Sequence, residues 1–269
     1  MSKNDAVQRA GTDAPKEIEA ILDIRSVGYF HFASDFDGNP IESLEEALDQ
    51  VLKKEQDARP DQIDAPKPFR DSLLVVPEAF NLRFGYLDRA LRIIGSEIRD
   101  RLIDLSRRRG MALVVGLLDD HGGRRPYNSA YLIDGGEAQM LSRKHNSDQS
   151  DNYATCNLPD NCYDNVIPHR GLRIAALVCM DADQYPGQET RHKNILEQLD
   201  GPGRKVLCVP SCFSRPPQEV VAHWPDLITV VLANRGQTHP SIVRLEKCVA
   251  MESPDCKKDH IQFWDLPEV

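Results

Sequence analysis

Two periods of apolar spacing alternate along the chain. In "IESLEEALDQVLKKEQ" the residues Ile41, Leu44, Ala47, Leu48, Val51 and Leu52 fall three or four apart, so they share one stripe of an amphipathic helix. In "SLLVVPEAF" the apolar run is unbroken, which predicts a strand buried on both faces and stopped by Pro77, with Glu78 just beyond its end. The same two signatures recur. "LDRALRIIGSEIRDRLIDLSRRRG" returns to helical spacing with Gly110 as the C′ residue, and "MALVVGLLDD" is the next strand. "PYNSAYLID", the Gly135-Gly136 turn and "AQMLSRKHN" predict a β-hairpin that places Lys144 at the far end of its second strand. Residues 147–170 are polar and rich in Pro, Asn and Asp, and read as a loop. Beyond them come the strand "GLRIAALVCMD", the helix "GQETRHKNILEQLD" and the strand "GRKVLCVPSCF". A short helix near "QEVVAHW", the strand "LITVVLANR" and a final strand near "HIQFWDL" follow. A first strand lies within "ILDIRSVGYFHFA", ahead of the turn-forming "SDFDGNP". Strands alternating with helices around an inserted hairpin imply mixed sheets covered by helices, with functional groups gathered where strands end.

Composition adds limits. The 269 residues suit one large domain, read here as 17–269 behind a polar tail at 1–16. The formal charge of −9 argues against a nucleic-acid partner, whose phosphates it would repel. The basic run Arg107 to Arg109 precedes Gly110 and reads as a helix C-terminus whose cations meet the macrodipole. No leader-like segment opens the sequence, and "LITVVLA" is too short to span a bilayer, so no membrane partner and a cytoplasmic location are expected. Seven irregularly spaced cysteines do not form a disulfide framework and read as mostly reduced thiols.

Glu78, Lys144 and Cys179 all stand at predicted strand ends. Singly, each has a plain explanation: a solvated loop acid, a lysine that protects a sheet edge, and a small buried hydrophobe. Together they supply a thiol, a carboxylate able to take its proton and an ammonium able to hold an oxyanion, which is what attack on an amide or nitrile carbon requires. An adjacent lysine is also expected to lower the thiol pKa. A zinc set drawn from Cys156, Cys162, His169, Cys208 and Cys212 fits no standard spacing, so no metal is expected. A dyad of Cys179 with His169 or His121 is a chemical alternative without supporting context.

These motifs, in this order, resemble the carbon-nitrogen hydrolase (nitrilase) superfamily, amidase-like branch. "LLVVPEAF" is similar to its strand-Pro-Glu motif, "VVGLLDDHGGRRPYNSAYLID" with "LSRK" to its hairpin and arginine-lysine ending, and "GLRIAALVCMD" to its nucleophile strand. "VPSCF" and "VVLANRG" resemble motifs near its pocket. The resemblance implies a four-layer α-β-β-α sandwich with two mixed β-sheets and a catalytic Glu78-Lys144-Cys179 triad. It further implies an oxyanion contact from the backbone N–H of Met180, and no cofactor or metal. Tyr127, Asn128, Ser211, Cys212, Phe213 and Asn234 become candidates for the substrate pocket. The implied partner is a small amide or carbamoyl substrate, in a homodimer or larger homo-oligomer.

Some features depart from the family pattern. No Glu occurs between Glu137 and Glu189, where many members carry a second acid; Asp148, Asp151, Asp160 and Asp164 are the available substitutes. His145 follows Lys144 directly and is assigned no role, and "CMDADQYP" carries an extra residue before Tyr185-Pro186. Met180-Asp181 stands where true nitrilases of the family have Trp-Glu, which favours an amide over a nitrile. Arg83, Arg124, Arg125 and Arg170 near the predicted loops suggest a carboxylated substrate. The rival to a hydrolase is a catalytically silent relative that binds a small molecule, and the two differ in whether Cys179 is a reactive thiol.

Overall fold

The computed structural model describes residues 23–33, 39–58, 69–81, 95–119, 126–146, 164–183, 187–213, 216–248, 251–252, 255 and 257–267. The polar tail at 1–16 lies outside them, as do Arg83, His121, Arg124, Arg125, Asp148, Asp151, Asp160, Cys156, Cys162 and Tyr185-Pro186.

Among the described residues the chain forms two six-stranded mixed sheets. The first contains β1 (Ser26–His31), β2 (Ser72–Val76), β3 (Ala112–Asp119), β4 (Tyr127–Asp134), β5 (Glu137–Arg143) and β12 (His260–Asp265), in the order β12-β1-β2-β3-β4-β5. The second contains β6 (Ile167–His169), β7 (Leu172–Ala176), β8 (Arg204–Ser211), β9 (Thr229–Asn234), β10 (Ile242–Arg244) and β11 (Met251–Glu252), in the order β11-β10-β9-β8-β7-β6. Each sheet has three parallel strands at its heart, β1-β2-β3 and β7-β8-β9, with antiparallel strands outside them. The helices α1 (Pro40–Ala58) and α2 (Gly95–Arg109) cover the first sheet, and α3 (Glu189–Leu199) and α4 (Gln218–His223) pack on the second. This is the expected α-β-β-α sandwich.

The burial pattern explains why β2 and β3 read as unbroken apolar runs. Leu73, Val75, Ala112 and Val114 join the core between the sheets, whereas the alternate residues Leu74, Val76, Leu113 and Val115 join a second core beneath α1 and α2. Helix ends follow their local chemistry. Asn39 caps α1 by accepting the N–H of Ile41 at 3.1 Å, with Pro40 at the first helical position. Gly110, at φ +70°, closes α2, and its N–H returns to the Ser106 carbonyl at 2.8 Å. The preceding cations pair outward, Arg108 with Glu45 at 2.5 Å and with Asp104 at 2.8 Å, and Arg109 with Asp49 at 2.6 Å, in accord with a solvated helix terminus.

Three predicted boundaries change. The segment expected to be a loop as far as Arg170 contains β6, which pairs antiparallel with β7. Two short strands, β10 and β11, stand between β9 and β12 and carry too few residues to show a period. The segment bearing Cys179 leaves the sheet early: β7 ends at Ala176, and Cys179–Ala182 is a single 3₁₀ turn.

Candidate active site

All the parallel strands deliver their C-terminal ends to one edge of the sandwich. Glu78 follows β2, while β3 and the antiparallel β4 meet there through the Leu118–Asn128 pair. β5 returns to the same edge, so Lys144 comes immediately after its last residue, and its N–H donates to the Asn128 carbonyl at 2.8 Å. From the second sheet arrive Cys179, beyond β7, and Ser211 and Asn234, which end β8 and β9.

Glu78 is held in a tight turn. Ala79 has φ +46°, the Phe80 N–H donates to the Gly116 carbonyl at 2.9 Å, and the buried Arg235 guanidinium donates to the Ala79 carbonyl at 2.5 Å. Asn81 fastens the turn to β3, accepting from the Leu118 N–H at 2.8 Å and donating to its carbonyl at 3.0 Å. The turn lies so close to β3 that a Cβ on Gly116 would stand 2.5 Å from Glu78 Cα and 3.0 Å from Pro210 Cβ. Glycine is therefore required where the two sheets and the Glu78 turn meet.

The Glu78 carboxylate is 2% exposed and the Lys144 side chain 2% exposed. One carboxylate oxygen, Oε2, accepts from Lys144 Nζ at 3.2 Å and from Asn128 Nδ2 at 2.9 Å. A buried carboxylate beside an ammonium and an amide donor is a compensated ion pair, costly to break by removing one partner. Cys179, 3% exposed, lies within the same electrostatic field. Its φ of +50° places a non-glycine residue in the left-handed region, a strained conformation. Burial pushes the Cys179 thiol well above the usual range, Glu78 pushes it further, and Lys144 and a hydrogen bond from the Cys212 backbone N–H only partly offset them. The Lys144 ammonium acts on the thiol in the expected downward direction, but burial, the largest influence, sets the net shift upward.

The remaining candidates divide by task. Asn234 is wholly buried and ties the chain after β8: its Oδ1 accepts the Phe213 N–H at 2.7 Å and the Ser211 hydroxyl at 3.3 Å, and its Nδ2 donates to the His239 carbonyl at 3.0 Å. The single Ser211 hydroxyl proton is shared between Asn234 Oδ1 and the Ala233 carbonyl at 3.0 Å, so both side chains act within the scaffold. Phe213 is buried, Cys212 half-buried, and Tyr127 half-buried beneath the Arg143 guanidinium at 4.6 Å. Met180 is buried directly after Cys179.

Other expectations are corrected. Arg170 pairs with Asp134 at 3.3 Å and donates to the Arg70 carbonyl, which leaves it an internal strut rather than a carboxylate receptor. His169 bonds Asp134 at 2.8 Å, and Asp134 is six residues along β4 from Asn128. At the usual strand rise that separation is about 20 Å, so His169 stands at the opposite end of the sheet from Cys179. Asp164 is bound on both oxygens by Arg191, at 2.6 and 2.7 Å, and is not placed as a second proton-transferring acid. Cys208 is enclosed in the core on β8, where burial raises its thiol pKa. Among the described residues no group of three or more His, Cys, Asp or Glu side chains is arranged to hold a metal ion, and no helix is long and apolar enough to cross a membrane. A groove of 630 Å³ bordered by Ile41, Glu45, Glu97, Asp100, Arg101, Asp104 and Arg108 lies in the α1–α2 layer, away from the strand ends.

A two-sheet sandwich with a buried carboxylate, ammonium and thiol at one strand-end edge defines a class of cysteine-bearing α/β proteins. Residues 41–225 match the carbon-nitrogen hydrolase family, and the chain belongs to that family. No curated protein sequence matches it. Among solved structures it is similar to an amidase from Nesterenkonia sp., at 19% identity with a TM-score of 0.61 and 91% of each chain covered. It is likewise similar to a cysteine-to-alanine mutant of the Nesterenkonia sp. AN1 amidase in complex with butyramide, at 20% identity, TM-score 0.63, covering 91% of this chain and 92% of that one. A third, a glutamate-to-glutamine mutant of that amidase showing Michael addition of acrylamide at its active-site cysteine, has 19% identity and a TM-score of 0.58, with 90% of this chain and 93% of that one covered. The shared architecture extends beyond the segment that carries the family match.

Proposed function

We propose that this carbon-nitrogen hydrolase cleaves nonpeptide C–N bonds in small linear amides or carbamoyl compounds through a thioester acyl-enzyme, with Glu78, Lys144 and Cys179 as its catalytic residues. The observation that carries the reading is the buried Glu78–Lys144 pair acting on the Cys179 thiol. Glu78 takes the proton of the Cys179 thiol as sulfur adds to the carbonyl carbon. The oxyanion is stabilised by the Lys144 ammonium and the Met180 backbone N–H. Collapse of the tetrahedral adduct breaks the C–N bond, and protonated Glu78 returns its proton to departing ammonia. Glu78 then deprotonates a water that attacks the thioester, releasing the carboxylic acid and restoring the thiol. No cofactor enters the scheme. Asn128 keeps Glu78 oriented by its 2.9 Å hydrogen bond, and the Asn234 network fixes the segment that carries the Cys212 N–H. Tyr127, Cys212 and Phe213 are assigned to the pocket border. A homodimer or larger homo-oligomer and a cytoplasmic location accompany this reading.

The raised thiol favours one second reading, a catalytically silent relative that binds a small amide. A panel of small amides, carbamoyl amino acids and nitriles, assayed for ammonia release beside Cys179→Ala, separates the two. Ammonia from one class, abolished by the substitution, with an acyl adduct on Cys179 by mass spectrometry, is expected. Absence of turnover and adduct across the panel, with Cys179 inert to iodoacetamide in the folded protein, would establish the silent reading.

A further inference from the structure

We infer that Asp181 is a positioning residue that holds the Cys179 turn in register with Lys144 and thereby sets the reactivity of the thiol. The inference rests on Cys179 being the nucleophile, but not on any particular substrate.

Cys179 and Lys144 belong to different sheets, so something must fix their separation. Asp181 is 0% exposed and lies in the same 3₁₀ turn as Cys179. Its Oδ2 accepts the His145 N–H at 2.8 Å, and its Oδ1 accepts the Asn146 N–H and the Asn146 Nδ2, each at 2.9 Å. These are the two residues that directly follow Lys144. On the other side Arg191 of α3 donates to the Arg143 carbonyl at 3.1 Å, immediately before Lys144, and pairs with Asp181 at 2.6 Å. Arg191 is itself anchored by both oxygens of Asp164. Lys144 is therefore bracketed, with Arg143 held by Arg191 and His145 and Asn146 held by Asp181.

The opposite side of the turn is fastened independently. The Asp181 carbonyl accepts from His192 Nε2 at 2.7 Å, and the Ala182 carbonyl accepts from Trp224 Nε1 at 3.0 Å. The turn consequently has supports on α3 and beyond α4 that do not pass through Lys144. Removing the Asp181 carboxylate removes the link to Lys144 while these backbone anchors persist. Both carboxylate oxygens are engaged by backbone donors and a guanidinium, which assigns Asp181 to geometry and not to proton transfer. Since Lys144 is the cation that lowers the thiol pKa against burial and Glu78, freeing it must weaken that effect.

The test is the rate of Cys179 alkylation by iodoacetamide in folded protein, followed by mass spectrometry from neutral pH upward along the alkaline rising limb, since burial sets the thiol's ionisation above the usual range. Asp181→Asn is expected to displace the rising limb upward by about one pH unit and to slow alkylation about tenfold at neutral pH. Lys144→Met should do the same, and the double variant should be no slower than Lys144→Met alone, because both changes act through one cation. Asn146→Ala, which removes a single hydrogen bond from a half-buried residue, should give a smaller displacement in the same direction and keeps the test alive if Asp181→Asn does not fold. A purely structural carboxylate would lower the melting temperature and leave the profile superimposed on wild type; that result, or multiplying effects in the double variant, overturns the inference. If wild type hydrolyses nothing in the amide panel while these displacements are observed, the positioning role stands and the hydrolase assignment falls.

Discussion

Replacing Gly116 with alanine should damage the chemistry more than the fold. A Cβ at this position would lie 2.5 Å from Glu78 Cα, 3.2 Å from Glu78 Cβ and 3.0 Å from Pro210 Cβ. Carbon atoms in ordinary contact stand about 3.5–4.0 Å apart, so the deficit against Glu78 Cα is about 1 Å. None of these atoms is the tip of a flexible side chain. Gly116 itself is pinned within β3, opposite Ala130 of β4. The Glu78 turn must move, against its bonds to Gly116, Leu118 and Arg235. Overpacking of this kind costs about 1–3 kcal/mol, or about 2–12 °C in melting temperature for a chain of this size. A displacement of about 1 Å in a positioned base is associated with about a hundredfold loss of rate. The assay is kcat/KM for the best amide of the panel, measured with Gly116→Ala and wild type, beside scanning calorimetry on both. A variant retaining activity to within about threefold, with an unchanged melting temperature, would refute the claim that this approach positions Glu78.

Asn234→Ala should strip the buried Phe213 N–H and the half-buried His239 carbonyl of their partner, costing about 1–3 kcal/mol for the N–H and less for the carbonyl; urea denaturation measures it. Alkaline stability follows from the buried thiols. Cys179 and Cys208 both have folded-state pKa values raised by burial. Their contribution is therefore present in full below the unfolded thiol value of about 8.5 and is lost as pH rises through the folded values. Above about pH 8.5 each thiol should lower unfolding free energy by about 1.4 kcal/mol per pH unit, so the stability gap between wild type and Cys208→Ala should narrow at that rate. Denaturation curves at neutral and alkaline pH test this, and a gap independent of pH would contradict it.

Much of the architecture was legible because burial writes itself into sequence. The doubly buried β2 and β3 gave unbroken apolar runs, Pro77 marked where β2 must stop, and the Gly135-Gly136 turn fixed the hairpin that carries Lys144. Other features left no comparable trace. Apolar character continues through Leu177 and Val178 although strand pairing ends at Ala176, because the core encloses the chain after it leaves the sheet; Cys179 therefore looked like a strand end when it occupies a strained turn. The three-residue strand Ile167–His169 includes Pro168 and is too short to display alternation. The bracket around Lys144 was hidden for another reason. Asp181 could be seen as an acid two residues beyond Cys179, but its partner Arg191 lies ten residues further on, in a helix, and nothing in the sequence pattern pairs the two. The direction of the thiol's pKa shift could not be weighed from charged neighbours alone, since burial is its largest cause.

The pairing of β1 with β12 bears on how the chain is made. Ser26 lies opposite Asp265 and His31 opposite His260, so one flank of β1 finds its partner only after more than two hundred further residues have been synthesised. Glu78, Lys144 and Cys179 will all have left the ribosome before the strand that seals this flank exists. During that interval β1 offers its hydrogen-bonding edge to any neighbouring nascent chain. Translation arrested ahead of His260 would yield a product that contains every residue assigned to the chemistry and is prone to intermolecular strand pairing. Loss of a segment that supplies none of those residues would then emerge first as insolubility.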